Sequence, residues 1–593
     1  MKETLRDLAV VLLVAGTVFF TQLGATRLWD RDEPRNAGCA AEMLAANDWV
    51  TPVFNGELRT HKPVLTYWFM MISYALLGVN EFAARLPSAL FGTGTCLCAW
   101  FIGRRLFGPS AGVWSAVVLA TTMMFGVASR AATPDAPLIF FSTLAMAIYV
   151  AGVTPRAGAG RPGIVRDYPQ HWRTVACMFA CMGVAVLAKG PIGLVLPTAV
   201  IGMFLLIRRL PEWNGVPKRP WLTAAIRLVR PFAPLHFLKT CWMMRPVTAV
   251  LVAAAVALPW YIWVHLRTDG EWTYGFFLTH NFGRAMQSME GHRGGVWFYP
   301  AMLLVGFFPW SIFWLPVAID SIRTARKPSP ISGSMLFALC WAGVYVGLFS
   351  LAKTKLPSYI TPCYPGAALL TGAFIDRWSR RELVLTRIWP RLAFGSLIAV
   401  GVITATAVPI AAQLILPGEE LLGVVGLLPI LGGSVALLLV ERDQLRWSAR
   451  TMAGTAALFA TLLFGVLADR VDEHRHLEDL VEATYASDDV ADVDVASLSS
   501  MEASWVYYLR KPVPVIADGE DARKFLESAD PQGRRRVLVT TRRRVERAEQ
   551  EPMLEEFAVS RVPYFMENDD EILILRAGHA ERTAADDADT IIR

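Results

Sequence analysis

Stretches of apolar residues long enough to cross a lipid bilayer recur along most of the chain. A transmembrane helix needs roughly 20 predominantly apolar residues, and about thirteen segments approach that length. Of the 593 residues, 54% are hydrophobic and only 18% are charged, a composition that a soluble chain of this size does not have. The sequence therefore predicts an α-helical polytopic membrane protein with spans near residues 6–25, 87–107, 111–129, 134–152, 174–189, 191–207, 247–266, 297–317, 332–350, 356–374, 391–411, 421–440 and 451–468.

The distribution of basic residues predicts how these spans are oriented, because cytoplasmic loops are enriched in lysine and arginine. An N-terminus in the cytoplasm puts every strongly basic loop on that side, namely those at residues 104–105, 156–173, 208–245, 323–327, 377–391 and 442–450. An odd number of spans then places the C-terminal region outside. The sequence pI of 8.9 reflects these inner loops, so we expect no nucleic-acid binding.

The composition changes sharply at Ala468-Asp469-Arg470, where long apolar runs end. We predict a membrane domain over residues 1–468, a soluble outer domain over residues 469–576 and a flexible tail over residues 577–593. In the outer domain, strand-like and helix-like runs alternate, which indicates a small α/β layer structure. The strands are predicted at 493–498, 513–516, 536–540 and 571–575, and the helices at 503–509, 519–528 and 545–557.

A dense group of ionisable residues, Asp30-Arg31-Asp32-Glu33-Pro34-Arg35, follows the first apolar segment, in a loop that covers residues 26–86. Residues 34–46 are predicted to form a short helix with Asp32 and Glu33 at its N-terminal end, where the helix dipole favours an ionised carboxylate. Such a carboxylate can accept a proton or bind a metal, although capping the helix is the simpler explanation. The number of other ionisable side chains in this loop favours a catalytic site.

The other loops assigned to the outer side carry ionisable residues that also need a reason, because such loops should be poor in lysine and arginine. Asp135 begins a span, where capping is an equal alternative, and Lys189 ends one, where snorkelling to the interface is the simplest explanation. An anionic phosphate at the outer face would account for the cations. Four further candidates lie in these loops: His280, Arg284, Lys355 and Tyr359.

The order of these motifs resembles that of the GT-C glycosyltransferases that use polyprenyl-phosphate sugars. The resemblance is greatest to the bacterial lipid A aminoarabinose transferases and weaker to the protein O-mannosyltransferases, and it covers about residues 5–375. Each short string is weak alone, but the ordered set is specific. The set comprises Asp32-Glu33-Pro34-Arg35, Glu42-Met43-Leu44-Ala45, Asp48-Trp49-Val50-Thr51-Pro52, Asn55-Gly56, Lys62-Pro63, Ala84-Arg85-Leu86-Pro87-Ser88, Asp135, Ala188-Lys189-Gly190-Pro191, His280-Asn281, Phe308-Pro309-Trp310 and Lys355-Leu356-Pro357-Ser358-Tyr359.

This resemblance implies a GT-C enzyme of the bacterial inner membrane that transfers a sugar with inversion from a polyprenyl-phosphate donor to a lipid or glycan acceptor. Asp32 matches the essential carboxylate of the family. The matching positions that hold the lipid phosphate are Arg35, Lys62 and Tyr359. The residues themselves add Glu33 and Asp135 to the catalytic candidates and Lys355 and Arg284 to the phosphate-binding ones, because carboxylates activate hydroxyl groups and cations stabilise a departing phosphate.

One departure from the family pattern concerns a metal. His61-Lys62-Pro63 stands where these transferases usually carry Glu-Lys-Pro, and that glutamate is associated with a divalent metal site that also uses a histidine matching His280. Imidazole keeps the ligand capacity but removes a negative charge, which favours zinc over magnesium. The alternative is that no metal binds and His61 only forms hydrogen bonds. The same change leaves the identity of the sugar open.

Other functions remain possible at this level. A transporter of lipid-linked sugars would need ionisable residues near the bilayer midplane and an internal repeat, whereas the charges here gather in outer loops and no repeat is visible. A membrane scaffold gives no reason for the group around Asp32. Within the enzyme class, an activity like that of the protein O-mannosyltransferases is the alternative to modification of lipid A or another envelope glycan.

Overall fold

The computed structural model describes residues 2–29, 32–155, 161–211, 226, 229–283, 294–486, 488–528, 530–547, 554–564 and 570–577. Helices form nearly all of the chain up to Glu473. They are α1 (Lys2–Phe20), α2 (Asp32–Ala45), α3 (Leu65–Leu77), α4 (Glu81–Leu106), α5 (Pro109–Ala120), α6 (Met123–Arg130), α7 (Asp135–Val153), α8 (Trp172–Lys189), α9 (Ile192–Arg208), α10 (Pro234–Met243), α11 (Pro246–Arg267), α12 (Glu271–Tyr274), α13 (Phe298–Gly306), α14 (Trp314–Arg326), α15 (Ser332–Leu351), α16 (Tyr364–Ser379), α17 (Ile388–Ile415), α18 (Leu427–Glu441), α19 (Leu445–Leu462) and α20 (Ala468–Glu473).

Within the described residues, eight helices are long and apolar enough to cross a membrane, and two bent helix pairs raise the number to ten if each pair is one span. The remaining three predicted spans coincide with α1, which has four charged residues in its first two turns, and with α9 and α16, which have 17 and 16 residues. The helical polytopic architecture is therefore confirmed, while the number thirteen stays a prediction.

The two bent pairs differ from the straight spans that hydropathy predicts, and they meet each other. The axes of α5 and α6 differ by 69°, and those of α13 and the helix over 310–326 differ by 116°. At the meeting point, the amide of Met123 donates to the carbonyl of Phe308 (3.0 Å), and the Trp310 indole donates to the Thr121 hydroxyl (2.8 Å). Each break thus supplies partners for polar groups of the other, which is the condition for irregular backbone inside a membrane protein.

A short hairpin, β1 (Val53–Phe54) and β2 (Glu57–Leu58), lies between α2 and α3. The C-terminal region is built on a mixed five-stranded sheet, whose strands are β3 (Val493–Leu498), β4 (Val515–Ile516), β5 (Arg535–Thr541), β6 (Ala558–Pro563) and β7 (Glu571–Arg576). Their order is β4-β3-β5-β7-β6, with β3 parallel to β4 and β5 and the remaining pairs antiparallel. This confirms the small α/β domain. The edge strand that ends at Pro563 and the helix α21 (Leu477–Tyr485) were not predicted. Of the helix predicted over 545–557, the structure shows a helix at Arg542–Arg547, which begins earlier, and residues 548–553 lie outside the described residues. The other helices of this region are α22 (Ala503–Leu509), α23 (Gly519–Glu527) and α24 (Arg542–Arg547).

The C-terminal domain packs directly on the loop over residues 26–86. Buried side chains of that loop, including Met43 and Val64, belong to the same apolar cluster as Trp505 and Leu509 of the domain. Backbone contacts join the two parts as well, because the amide of Leu28 donates to the Tyr508 hydroxyl at 2.7 Å. Helical structure continues from α19 to Glu473 across the predicted boundary at residue 468.

Candidate active site

The ends of α2, the helix that carries Asp32, are set by residues suited to helix ends. The structure begins α2 at Asp32, two residues before the predicted start, so that both acids occupy its first turn. Pro34 lies in this turn, where the backbone needs no amide donor. The chain leaves the helix through Asn47, whose φ of 49° is tolerated by asparagine. This short helix places Asp32 at the end of the bundle that carries the C-terminal domain.

The side chain of Asp32 is partly exposed to solvent, and four cations act on its carboxylate. Partial burial raises the pKa of the Asp32 carboxyl, but the nearby positive charges together lower it by more than burial raises it. The pKa of Asp32 is therefore below the ordinary value of 3.8. Asp32 is therefore ionised at neutral pH. The four cations, called the Asp32 cation group below, are Lys62, Arg59, Lys189 and Arg35 in decreasing order of their effect.

Glu33 faces the interior and is fully engaged there. Its two carboxylate oxygens accept from Nε and Nη2 of Arg85 at 2.9 and 2.8 Å, and both residues are only 4% exposed. They also accept from the amides of Ala132 (2.7 Å) and Trp29 (2.6 Å). Since both oxygens are used by the protein itself, these contacts do not support the predicted catalytic role of Glu33. They indicate that Glu33 fixes the first turn of α2 to α4.

Asp135 and Lys189 form a second ion pair beside Asp32. Nζ of Lys189 lies 2.5 Å from Oδ1 of Asp135, and the two side chains are 11% and 12% exposed. Nζ also lies 5.6 Å from the centre of the Tyr359 ring. Snorkelling, the simplest explanation for Lys189 from sequence, is therefore wrong. Asp135 holds a cation whose field reaches Asp32, and Tyr359 lies next to that cation.

Arg59 is a cation of the site that the sequence analysis did not single out. It is 6% exposed, and its guanidinium donates from Nε to the Tyr67 hydroxyl (3.0 Å) and from Nη2 to the Asn36 amide oxygen (3.2 Å). Among the ion pairs seen in the described part of the chain, none involves Arg59. A buried arginine held by neutral partners keeps its positive charge available for an anion. The one signal for it in the sequence was its position three residues before Lys62, in the same outer loop.

Two predicted phosphate ligands do not join this arrangement. Nζ of Lys355 donates to the carbonyls of Phe349 and Ser350 at 2.9 and 2.7 Å, so this side chain caps the C-terminal end of α15. Its contacts therefore favour a structural role in place of the predicted phosphate contact. Arg284 lies outside the described residues, and its assignment stays a prediction.

The two predicted metal ligands do come together. The ring centres of His61 and His280 are 4.0 Å apart, with an angle of 32° between the ring planes. Zinc sites generally use three or four protein ligands. Over the residues that the structure describes, no group of three histidine, cysteine, aspartate or glutamate side chains is arranged to hold a metal. The two histidines alone are fewer ligands than a zinc site uses, and no catalytic step is assigned to a metal.

Comparison with known proteins places this geometry in a family context. Residues 61–237 match the sequence family described as dolichyl-phosphate-mannose-protein mannosyltransferase. The chain is 28% identical over 480 residues to the undecaprenyl phosphate-alpha-4-amino-4-deoxy-L-arabinose arabinosyl transferase of Pectobacterium carotovorum, covering 80% of this chain and 78% of the relative. The enzyme of the same name from Edwardsiella ictaluri is 27% identical over 477 residues, covering 78% and 77%.

Among solved structures, ArnT from Cupriavidus metallidurans bound to undecaprenyl phosphate is similar with a TM-score of 0.72 at 21% identity, over 97% of this chain and 98% of that one. This likeness establishes the fold of the whole chain, since it covers both the helical membrane domain and the C-terminal sheet domain. The chain is thus a membrane glycosyltransferase with the fold of the GT-C enzymes. Within that class it is similar to the aminoarabinose arabinosyl transferases over 80% of its length, as the ordered motifs implied.

Proposed function

We propose that this enzyme transfers a sugar from undecaprenyl phosphate, or a related polyprenyl phosphate, to an acceptor at the outer face of the inner membrane. The observation that carries the proposal is the ionised Asp32 within the Asp32 cation group. A carboxylate beside several cations suits a reaction in which an acceptor loses a proton while a phosphate departs. The donor is supported by the names of the relatives and by the lipid bound to the similar ArnT structure.

The chemical step follows from these roles. The acceptor nucleophile forms a bond to the anomeric carbon as its proton moves to Asp32. The bond from that carbon to the phosphate oxygen breaks on the opposite face, which inverts the configuration, and polyprenyl phosphate leaves with the electron pair. Lys62, Arg59 and Arg35 stabilise the departing charge. Lys189, held by Asp135 and packed on Tyr359, adds a fourth positive charge.

An apolar cavity beside the site favours the proposal that a substrate carries a long hydrocarbon chain. It has a volume of about 660 Å³ and borders the buried pair of Glu33 and Arg85. Its walls come mainly from α6, α17 and the segment that follows α19, with side chains such as Met124, Ile415 and Phe464. A lipid chain in this cavity would lie next to the helix that presents Asp32.

The acceptor and the orientation belong to the same proposal. Similarity to enzymes that use aminoarabinose favours lipid A or another envelope glycan, and the match to the mannosyltransferase family over residues 61–237 favours protein as a second candidate acceptor. The basic loops favour a cytoplasmic N-terminus and a periplasmic C-terminal domain. Protease digestion of a C-terminal tag in spheroplasts checks this topology: protection of the tag would contradict it.

The effect of Lys62 on the reaction is measurable. We expect Lys62→Gln to lower kcat/KM for release of undecaprenyl phosphate by about a hundredfold, because a preorganised positive group at a developing charge contributes on that scale. Lys353→Gln is the matched control, since Lys353 is exposed and lies outside the Asp32 cation group. Equal rates for the two variants would remove Lys62 from the phosphate site.

We also propose that His61 and His280 are the positions in this site that contact a divalent cation, with zinc favoured over magnesium. We expect purified wild-type protein to contain bound zinc by elemental analysis and His280→Ala to lose most of it, because half of the paired imidazoles would be gone. His236→Ala serves as the control, since its imidazole contacts the Leu206 carbonyl instead. Zinc-free wild-type protein with full activity would refute the metal site.

A further inference from the structure

The hairpin that precedes Lys62 is attached by its turn to α2, the helix that begins at Asp32. Strands β1 (Val53–Phe54) and β2 (Glu57–Leu58) are joined by Asn55 and Gly56, both with positive φ, 59° and 74°. Asn-Gly is the favoured pair for a two-residue hairpin turn of this kind. The carboxylate of Glu42 on α2 accepts from the amides of Asn55 (2.7 Å) and Gly56 (3.2 Å). Turn and helix therefore form one unit.

The same turn is also bound to the C-terminal domain by the side chain of Asn55. Its Oδ1 accepts from the amide of Val513 at 2.6 Å, and its Nδ2 donates to the carbonyl of Val513 at 3.0 Å. Prolines at 512 and 514 flank Val513, so this residue offers the one amide donor of the tripeptide. The carboxamide pairs with Val513 as a neighbouring strand would.

We propose that Asn55 is a positioning residue for sugar transfer, which fastens the hairpin to the C-terminal domain and so fixes Arg59 and Lys62 around Asp32. Arg59 follows β2 directly, and its own amide is bound to the carbonyl of Pro52 at 2.9 Å, at the start of β1. A shift of the hairpin thus moves Arg59 and the chain that continues to Lys62. The inference rests on the proposed function, because it takes these cations to act on the leaving phosphate.

Other contacts hold the C-terminal domain independently of Asn55. The amide of Arg27 donates to Asp472 at 2.6 Å, the amide of Leu28 donates to Tyr508, and the apolar cluster shared with α2 is buried. Removing the Asn55 side chain therefore detaches the hairpin from the C-terminal domain, while Glu42 still holds the turn to α2 and the other contacts still hold the domain. The effect we expect is on the geometry of catalysis and not on folding.

The test compares Asn55→Gly with Gly56→Asn. Glycine adopts the φ of Asn55 without strain and removes both bonds to Val513. Asparagine tolerates the φ of Gly56, and a Cβ there meets no heavy atom within 4 Å, so this control alters the same turn while leaving the bonds in place. Hydrogen exchange at Val513 reports the bond directly, because a peptide over residues 512–514 has a single exchangeable amide. Turnover is measured as release of undecaprenyl phosphate by monodisperse protein.

For Asn55→Gly we expect exchange at Val513 to be about tenfold faster, since two hydrogen bonds are lost, and kcat to fall about tenfold with the donor KM within about twofold. Gly56→Asn should match the wild type in exchange at Val513, in kcat and in the donor KM. Unchanged exchange, or faster exchange with unchanged kcat, would overturn the role of Asn55. So would equal loss of kcat in Gly56→Asn. Absence of release by the wild type would instead contradict the proposed function, and exchange at Val513 would still report whether the bond exists.

Discussion

Asp32→Asn is expected to lower the rate of undecaprenyl phosphate release by about a thousandfold, within the range that general-base groups contribute. Asparagine has the same shape but cannot accept the proton of the acceptor. The four cations around Asp32 would remain, with one less negative charge among them. Ground-state binding of an anionic donor should therefore not weaken, and the loss should appear in kcat rather than in the donor KM.

A matched control for this variant lies in the same loop. Glu57 is an exposed carboxylate in β2, and Glu57→Gln makes the same chemical change away from the Asp32 cation group. We expect this control to retain wild-type turnover. If Asp32→Asn kept wild-type turnover as well, Asp32 could not be the base, and the mechanism would lose its central group.

The second large effect concerns stability. Glu33→Ala should lower the free energy of unfolding by about 3–5 kcal/mol, because it leaves the buried guanidinium of Arg85 without its carboxylate partner. The two amides of Trp29 and Ala132 lose an acceptor at the same time. Thermal denaturation in detergent measures the change. The rate of undecaprenyl phosphate release per folded molecule should fall less than in Asp32→Asn. Both carboxylate oxygens of Glu33 are bound to protein groups, so that neither is free to act on a substrate.

The exposed pair of Arg391 and Glu441 is the control for burial. Nε and Nη2 of Arg391 contact the two oxygens of Glu441 at 2.7 and 3.0 Å, the same fork that joins Arg85 to Glu33. The two arginines differ in exposure, 54% against 5% for the side chains. Glu441→Ala should therefore change the melting temperature little. A comparable loss in both variants would show that burial does not decide the cost.

The contribution of Glu33 has a defined pH dependence. Burial raises the pKa of Glu33, but Arg85 and the two amides together lower it by more than burial raises it. The pKa of Glu33 is therefore below the ordinary value of 4.5. A carboxyl whose pKa is lowered by folding stabilises the protein fully above its unfolded pKa, and this stabilisation is lost as the pH falls through the folded pKa. The stability difference between wild type and Glu33→Ala should thus be constant above about pH 5 and shrink at lower pH.

Much of the architecture follows from hydropathy and from residues that begin or end helices. Apolar runs predict the helices of the membrane domain, and Pro34 with Asn47 predicts the extent of α2 within two residues. The bends at Thr121 and Phe308 are not visible in the same way. Hydropathy registers a continuous apolar run there, whereas the bends are stabilised by hydrogen bonds between two segments far apart in sequence.

The candidate site shows the same division. Sequence motifs predict Asp32, Lys62, Asp135 and Tyr359 as site residues. In the structure, Asp135 and Tyr359 both contact Lys189, and the charge of Lys62 acts on Asp32 together with those of Arg59 and Lys189. The different surroundings of Asp32 and Glu33 cannot be read from two adjacent acids, because successive helical residues point in different directions and the partner, Arg85, lies on another helix. Lys189 and Lys355 exchange their expected roles for a similar reason, since Asp135 and the end of α15 decide where each ammonium is held.

Sugar transfer by this enzyme can be measured with purified wild-type protein in lipid nanodiscs, supplied with a panel of polyprenyl-phosphate sugars and an acceptor mixture of lipid A and membrane proteins. Mass spectrometry follows polyprenyl phosphate and glycosylated product, and NMR gives the anomeric configuration. We expect one donor to yield polyprenyl phosphate and glycosylated product in equal amounts, with inverted configuration. Folded protein that releases no polyprenyl phosphate from any donor, or a product with retained configuration, would contradict this expectation.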